Sequence, residues 1–277
     1  MLIKFALVLS ALCGMAAVWV AEMTLLAGLL LFAGVAAGTF LLIVLICFLL
    51  VWIPSLFADP DREFVEDSKY FRTLVRLYAP AVFTLLRTKI QITGKEKVPT
   101  KGRFMLVCNH IDNLDSAVML AAFPDSQLGF LAKKETRDFF LIGPLMGRIG
   151  CQFVDREHDR VALKAIIKAI QSVREDKISM AAFPEGGVIE DGRKLHHFRP
   201  GVFKVAIKPQ VPVVVCTIRG TTGILPNIKR LKPTVVDLRV LDVVTPESYA
   251  GMKTPELAER VYRIMRADLG PEADGSE

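Results

Sequence analysis

Phe104-Met105-Leu106-Val107-Cys108-Asn109-His110-Ile111-Asp112-Asn113-Leu114-Asp115 is the stretch that decides the fold. It opens on an unbroken apolar run, too short for a buried helix, which reads as a strand covered on both faces. The polar residues that follow, Asp112, Asn113 and Asp115, are of the kind that open helices. The strand is therefore expected to stop at His110, a helix to start near Asn113, and the chain to turn between them.

The same alternation continues outward. Residues 104–108, 128–132, 151–154, 178–183, 211–218 and 235–243 read as strands, and 115–122, 134–148, 159–175 and 255–269 as helices. The last helix is introduced by Thr254 as N-cap, with Pro255 in the favoured first position. Strands and helices in alternation predict an α/β domain with a mixed, largely parallel sheet flanked by helices, spanning 89–270. Upstream, Glu22 is the only charge between Phe5 and Ala58. That apolar length suits a membrane anchor over 1–58, broken near 21–24 into two spans or a hairpin within one leaflet. A cleaved signal peptide fits less well, because the apolar run outlasts an h-region and Trp19 sits badly beside a cleavage site at Ala21. Residues 59–88 form an amphipathic basic connector. In it Phe71, Leu74, Val75, Tyr78, Val82 and Leu86 recur at threes and fours beside Lys69, Arg72, Arg76 and Arg87, and Pro80 interrupts or bends the helix. It packs either on the domain or at the lipid headgroup boundary. The polar tail 271–277 reads as disordered.

Net charge is +6, which attracts nucleic acid and anionic membrane alike, and the anchor decides for the membrane. We therefore expect membrane lipids as partners and no nucleic acid. The five cysteines form no CxxC and read as small buried hydrophobes of a reducing compartment. His158, His196 and His197 offer no metal-ligand spacing, so neither a metal nor a cofactor is expected.

In such sheets functional groups gather where strands end. At the first such turn, His110 and Asp115 would not share a face of one helix, but across a strand-to-helix turn the carboxylate can fold back onto the imidazole. Asp115 would then fix the tautomer and leave Nε2 as a general base, with no protein nucleophile and no G-x-S-x-G elbow to supply one. Alternatively Asp112, Asn113 and Asp115 only cap a helix, and the heptapeptide alone leaves both readings open. A second turn, Phe183-Pro184-Glu185-Gly186-Gly187, sets one acid among residues that let a substrate approach closely. Glu185 could bind the acceptor's hydroxyls or position a helix N-terminus, and the amides of Gly186 and Gly187 could serve as anion donors. At the third, Arg156 with Lys133 and Lys134 would form a cationic pocket beside His110, suited to phosphate. Solvated surface charge is the competing reading for each residue taken singly.

Together these blocks resemble the lysophosphatidic acid acyltransferase family (1-acyl-glycerol-3-phosphate acyltransferases). Its N-H-x4-D signature is met by Asn109, His110 and Asp115, its strand-arginine block by Phe153-Val154-Asp155-Arg156, and its F-P-E-G block by Phe183-Pro184-Glu185-Gly186. An apolar strand opened by V-P is met by Val211-Pro212-Val213-Val214-Val215, and Phe198-Arg199-Pro200-Gly201 resembles a basic F-K-x-G turn. The match runs from about Lys89 to Val243. The resemblance implies an acyl-CoA or acyl-carrier protein donor, a lysophospholipid acceptor and no metal, with a catalytic domain expected on the cytoplasmic face. His110 would take the proton of the acceptor hydroxyl, Asp115 would orient His110, and Asn109, Arg156, Glu185, Gly186 and Gly187 would bind substrate. The family continues F-P-E-G with a phosphate-binding arginine in T-R-S, whereas this chain has Gly187, Val188 and Ile189. Either Lys134, Arg193 or Arg199 substitutes, or the acceptor's head is not a bare phosphomonoester. A transacylase or lipid hydrolase on the same scaffold, or a non-catalytic module binding anionic lipid, are the alternatives.

Overall fold

Apolar helices come first, with Lys4 the one charge in the pair. The computed structural model describes residues 1–21, 24–57, 67–155, 159–188, 193–270 and 273, grouped in two compact units, Met1–Ala58 and Asp59–Glu277. The first unit holds α1 (Leu2–Ala21) and α2 (Leu25–Leu56), both long and apolar enough to cross a membrane. They pack on each other through the small residues Ala6, Ser10 and Gly14 of α1, and a Cβ at Gly14 would stand 2.7 Å from the Phe32 ring. The hydroxyls of Ser10 and Ser55 donate back to the carbonyls of Ala6 and Val51, so they carry no unmet hydrogen-bonding demand into an apolar phase. At 32 residues α2 extends about 48 Å, well past the roughly 30 Å of a bilayer's hydrocarbon core.

The second unit runs α3 (Lys69–Leu85), β1 (Thr88–Thr93), β2 (Met105–Val107), α4 (Asp115–Ala122), β3 (Leu128–Lys133), α5 (Ile142–Arg148), β4 (Gln152–Val154), α6 (Asp159–Arg174), β5 (Ser179–Ala182), α7 (Lys204–Ile207), β6 (Val213–Arg219), α8 (Ile224–Lys229), β7 (Thr234–Val244) and α9 (Thr254–Leu269). The strands form one sheet in the order β1-β7-β6-β2-β5-β3-β4, parallel throughout except for the β6–β7 pair. Alternate residues of each central strand feed two separate cores. Leu106, Ala181, Val214 and Cys216 join the core beneath α3 and α4, whereas Met105, Val107, Met180, Val213 and Val215 join the one beneath α6, α7 and α9. A register shift at Val215/Cys216 changes the parity of β7. Val236, Leu238 and Val240 thus face the first core and Val244 the second.

Several expectations need correcting. The helix expected over 134–148 is split into a 3-10 turn (Lys134–Asp138) and α5, with Leu141 at φ 62° between them. Gly143 allows this break, because any Cβ there would collide with the Arg137 carbonyl oxygen. Pro80 lies within α3 without ending it. The cap of α9 falls on Lys253, whose N–H donates to Glu256 Oε2 at 2.6 Å. The tail is not disordered at Ala273, which is buried and accepts the N–H groups of Lys194 and Leu195 at 2.8 and 3.0 Å. Arg72, one of the basic residues beside the connector's apolar stripe, is buried. It donates to Asp67, to Leu128 O (2.9 Å) and to Ile149 O (3.0 Å), fastening α3 to the sheet's β3–β4 end. The connector's helix packs on the domain, with Phe71, Val75 and Phe83 in the first core.

Candidate active site

Parallel neighbours bring their exits to one edge of the sheet. Val107 of β2 lies opposite Ala182 of β5, so His110 and Glu185 leave the sheet side by side. His110 Nδ1 is 3.0 Å from Asp115 Oδ2, and the same oxygen accepts the N–H groups of Ile111 (2.8 Å) and Asp112 (2.9 Å). The Asp115 carboxylate is fully buried while the His110 side chain keeps 13% of its surface. Asp115 is the first residue of α4, so it both opens the helix and turns back onto the ring. Phe183 stacks on the imidazole at 4.0 Å and 12°, fixing the ring plane. His110 Nε2 makes no hydrogen bond among the described residues. A histidine so oriented, with a free outer nitrogen, can take a proton from a hydroxyl and return it to a leaving group.

Two residues expected to touch substrate are committed elsewhere. Asn109 is fully buried: its amide donates to the carbonyls of Lys194 and Ile218 at 3.1 Å each, and its oxygen accepts the Ile218 N–H at 2.8 Å. It crosslinks the ends of β2 and β6 and leaves no group for a ligand. Glu185 has no exposed side-chain surface; Oε1 accepts the His110 N–H at 3.1 Å and Oε2 meets His196 Nδ1 at 2.9 Å. Burial pushes its carboxyl up to about 7, against the pull of those two donors. Glu185 therefore organises the turn, with both carboxylate oxygens engaged by His110 and His196. Gly186 sits at φ 87° and spends its N–H on Phe183 O (3.1 Å), so that amide is not an anion donor; Gly187 is half-buried next to it.

The cationic residues are spread along the edge. Lys134 follows β3 and pairs with Asp155 at 2.9 Å, two strands from His110, or roughly 10 Å by strand spacing. Exposed Lys133 pairs with Glu135 at 3.6 Å. Arg156 lies outside the described residues. Arg193 is exposed and lines a cleft of about 880 Å³ against Ala258, Glu259 and Tyr262 of α9. Arg199 comes nearest to the Phe183–Gly186 turn. Its N–H donates to Pro184 O at 2.8 Å, and its side chain lies where a Gly186 Cβ would stand, 2.6 Å from Nε. Its guanidinium is exposed and unpaired among the described residues. Among the described residues no three His, Cys, Asp or Glu side chains cluster as metal ligands. Sequence reasoning missed His196, which nothing sets apart from exposed His197 until the fold brings it to Glu185.

Comparisons place this arrangement among known proteins. The family described as Acyltransferase matches residues 89–219. A probable 1-acyl-sn-glycerol-3-phosphate acyltransferase of Mycoplasma pneumoniae is 31% identical over 239 residues, covering 80% of this chain and 88% of that one. The mouse 1-acyl-sn-glycerol-3-phosphate acyltransferase alpha is 26% identical, covering 73% and 69%. The crystal structure of the 1-acyl-sn-glycerophosphate (LPA) acyltransferase PlsC from Thermotoga maritima superposes with a TM-score of 0.61 at 25% identity, over 73% of this chain and 79% of that one. On these matches the protein is an O-acyltransferase of phospholipid biosynthesis. The chain belongs to the 1-acyl-sn-glycerol-3-phosphate acyltransferase family.

Proposed function

We propose that the protein transfers a fatty acyl group from an acyl thioester, acyl-CoA or acyl-carrier protein, to the free hydroxyl of 1-acyl-glycerol-3-phosphate, giving phosphatidate. The acceptor proton passes to His110 Nε2, and the acceptor oxygen attacks the thioester carbonyl. The tetrahedral intermediate then breaks its C–S bond, and the imidazolium returns the proton to the departing thiolate. Asp115 acts through the ring, holding the tautomer and offsetting the charge of the imidazolium. The observation that carries this reading is the 3.0 Å contact between His110 Nδ1 and a buried carboxylate, with Nε2 left uncommitted. Arg199 is our choice for the acceptor's phosphate, in place of the arginine missing at Val188, because its guanidinium is unpaired among the described residues beside the Phe183–Gly186 turn. Lys134 and Arg156 would be secondary charges, and Arg193 a more distant one.

Two apolar helices associate the chain with the membrane, and we assign the catalytic unit to the cytoplasmic face. Support comes from cysteine usage: among the described residues no cysteine is in a disulfide, and Cys108, Cys151 and Cys216 are buried. The test is acyl transfer in membranes supplied with labelled acyl-CoA, acyl-carrier protein or phospholipid as donor, for the native chain and His110→Ala. A loss of roughly 10²-fold or more in the variant is expected. Undiminished transfer by His110→Ala would refute the base, and label arriving only from phospholipid would make the enzyme a transacylase. Arg199→Ala should raise the KM for the acceptor; an unchanged KM removes Arg199 from the phosphate site.

A further inference from the structure

Between the catalytic turn and the cleft beside α9 stands a pair of buried ionisable side chains that the acyl-transfer chemistry does not itself use. Glu185 Oε1 accepts the His110 N–H at 3.1 Å, Oε2 faces His196 Nδ1 at 2.9 Å, and the two side chains are 0% and 6% exposed. His196 lines the cleft of about 880 Å³ that Arg193, Phe198, Ala258, Glu259 and Tyr262 share with it. The segment bearing His196 is fixed at both sides: Asn109 holds Lys194 O, and Arg199 N–H holds Pro184 O.

We propose that His196 is a positioning residue for acyl transfer, acting through the Glu185 carboxylate to fix the backbone of the catalytic His110. The claim rests on the reading of His110 as the base. A buried carboxylate that loses one of its two donors takes up a proton more readily, and a neutral acid accepts a backbone N–H more weakly than an anion does. Desolvation raises the Glu185 carboxyl, whereas the hydrogen bond to His196 is the largest influence lowering it. Removing that donor pushes Glu185, already raised to about 7, further toward the neutral acid. The His110 N–H is then held more weakly, and the residue is freer to shift relative to Asp115. Displacements of that order cost rate without touching substrate contacts. Among the described residues Cys108 and Asp115 also face the Glu185 carboxyl, and neither donates to it.

The experiment compares His196→Leu, His196→Asn and His196→Gln in the full-length membrane-bound chain, measuring kcat, both KM values and Tm. Asn can place an N–H where Nδ1 stands, whereas Gln reaches past it. We expect His196→Leu and His196→Gln to lose roughly 10- to 100-fold in kcat with KM held, and His196→Asn to recover most of that loss. Three results would overturn the proposal. One is equal kcat in all three variants; another is a change in KM alone, which makes His196 a substrate contact; the third is a Tm loss with native kcat per folded molecule, which makes it structural. If His196→Leu fails to fold, the Asn and Gln pair decides by the same criterion. Activity surviving in His110→Ala would sink the base itself, while an inactive His110→Ala beside an unimpaired His196→Gln sinks only this step.

Discussion

One carboxylate oxygen, Asp115 Oδ2, receives the imidazole and two backbone N–H groups, while Oδ1 has no partner among the described residues. Asp115→Asn can present its amide oxygen to all three donors and put its NH2 where Oδ1 stands. The turn should survive and the negative charge should not. We expect kcat to fall about 10²- to 10⁴-fold with Tm nearly kept, read by steady-state kinetics beside calorimetry. A variant with native kcat would mean that the charge is idle. Glu185 gives a prediction of another kind. Its carboxyl, raised from 4.5 to about 7, keeps a proton in the folded chain that the unfolded chain has already lost. Its contribution is therefore fully present below pH 4.5 and gone above about pH 7, a loss of about 3 kcal/mol across that window as pH rises. Glu185→Gln cannot titrate, so from pH 4.5 to 7 its Tm should fall less, or rise more, than that of the native chain. Parallel Tm curves would contradict the assignment.

At the scale of elements, α3 shows how a sequence pattern can be right about spacing and silent about a buried charge. The apolar residues at threes and fours do pack into the core, yet Arg72 goes inside with them because two carbonyls and Asp67 wait for its guanidinium. Arg72→Ala leaves Asp67, Leu128 O and Ile149 O without this donor, at a cost of about 3–5 kcal/mol. Tm should drop on the order of 10 °C, and a shift of only a degree or two would show that α3 is held by its apolar face alone. Strand β1 is an edge strand with Lys89 and Gln91 on its more exposed side, so only Ile90 and Ile92 signalled it. Two apolar residues are too short a period for a strand to stand out beside the continuous runs of β2 and β6.

For the molecule as a whole, the central strands β2, β5 and β6 were legible because burial on both faces forces unbroken apolar runs, and the His110–Asp115 turn because a strand exit leaves few roles for such a pair. The break at Leu141 was not, since it depends on Gly143 passing close to the Arg137 carbonyl, a contact between segments that local propensity does not encode. Nor were the inward commitments of Asn109 and Glu185, which need Ile218 and His196 from distant parts of the chain. Ala273 belongs with these long-range ties. It clasps Lys194 and Leu195, one residue short of the partner of Glu185. A chain cut back to Gly270 would thus lose the latch on the loop whose His196 meets Glu185 beside the His110 turn.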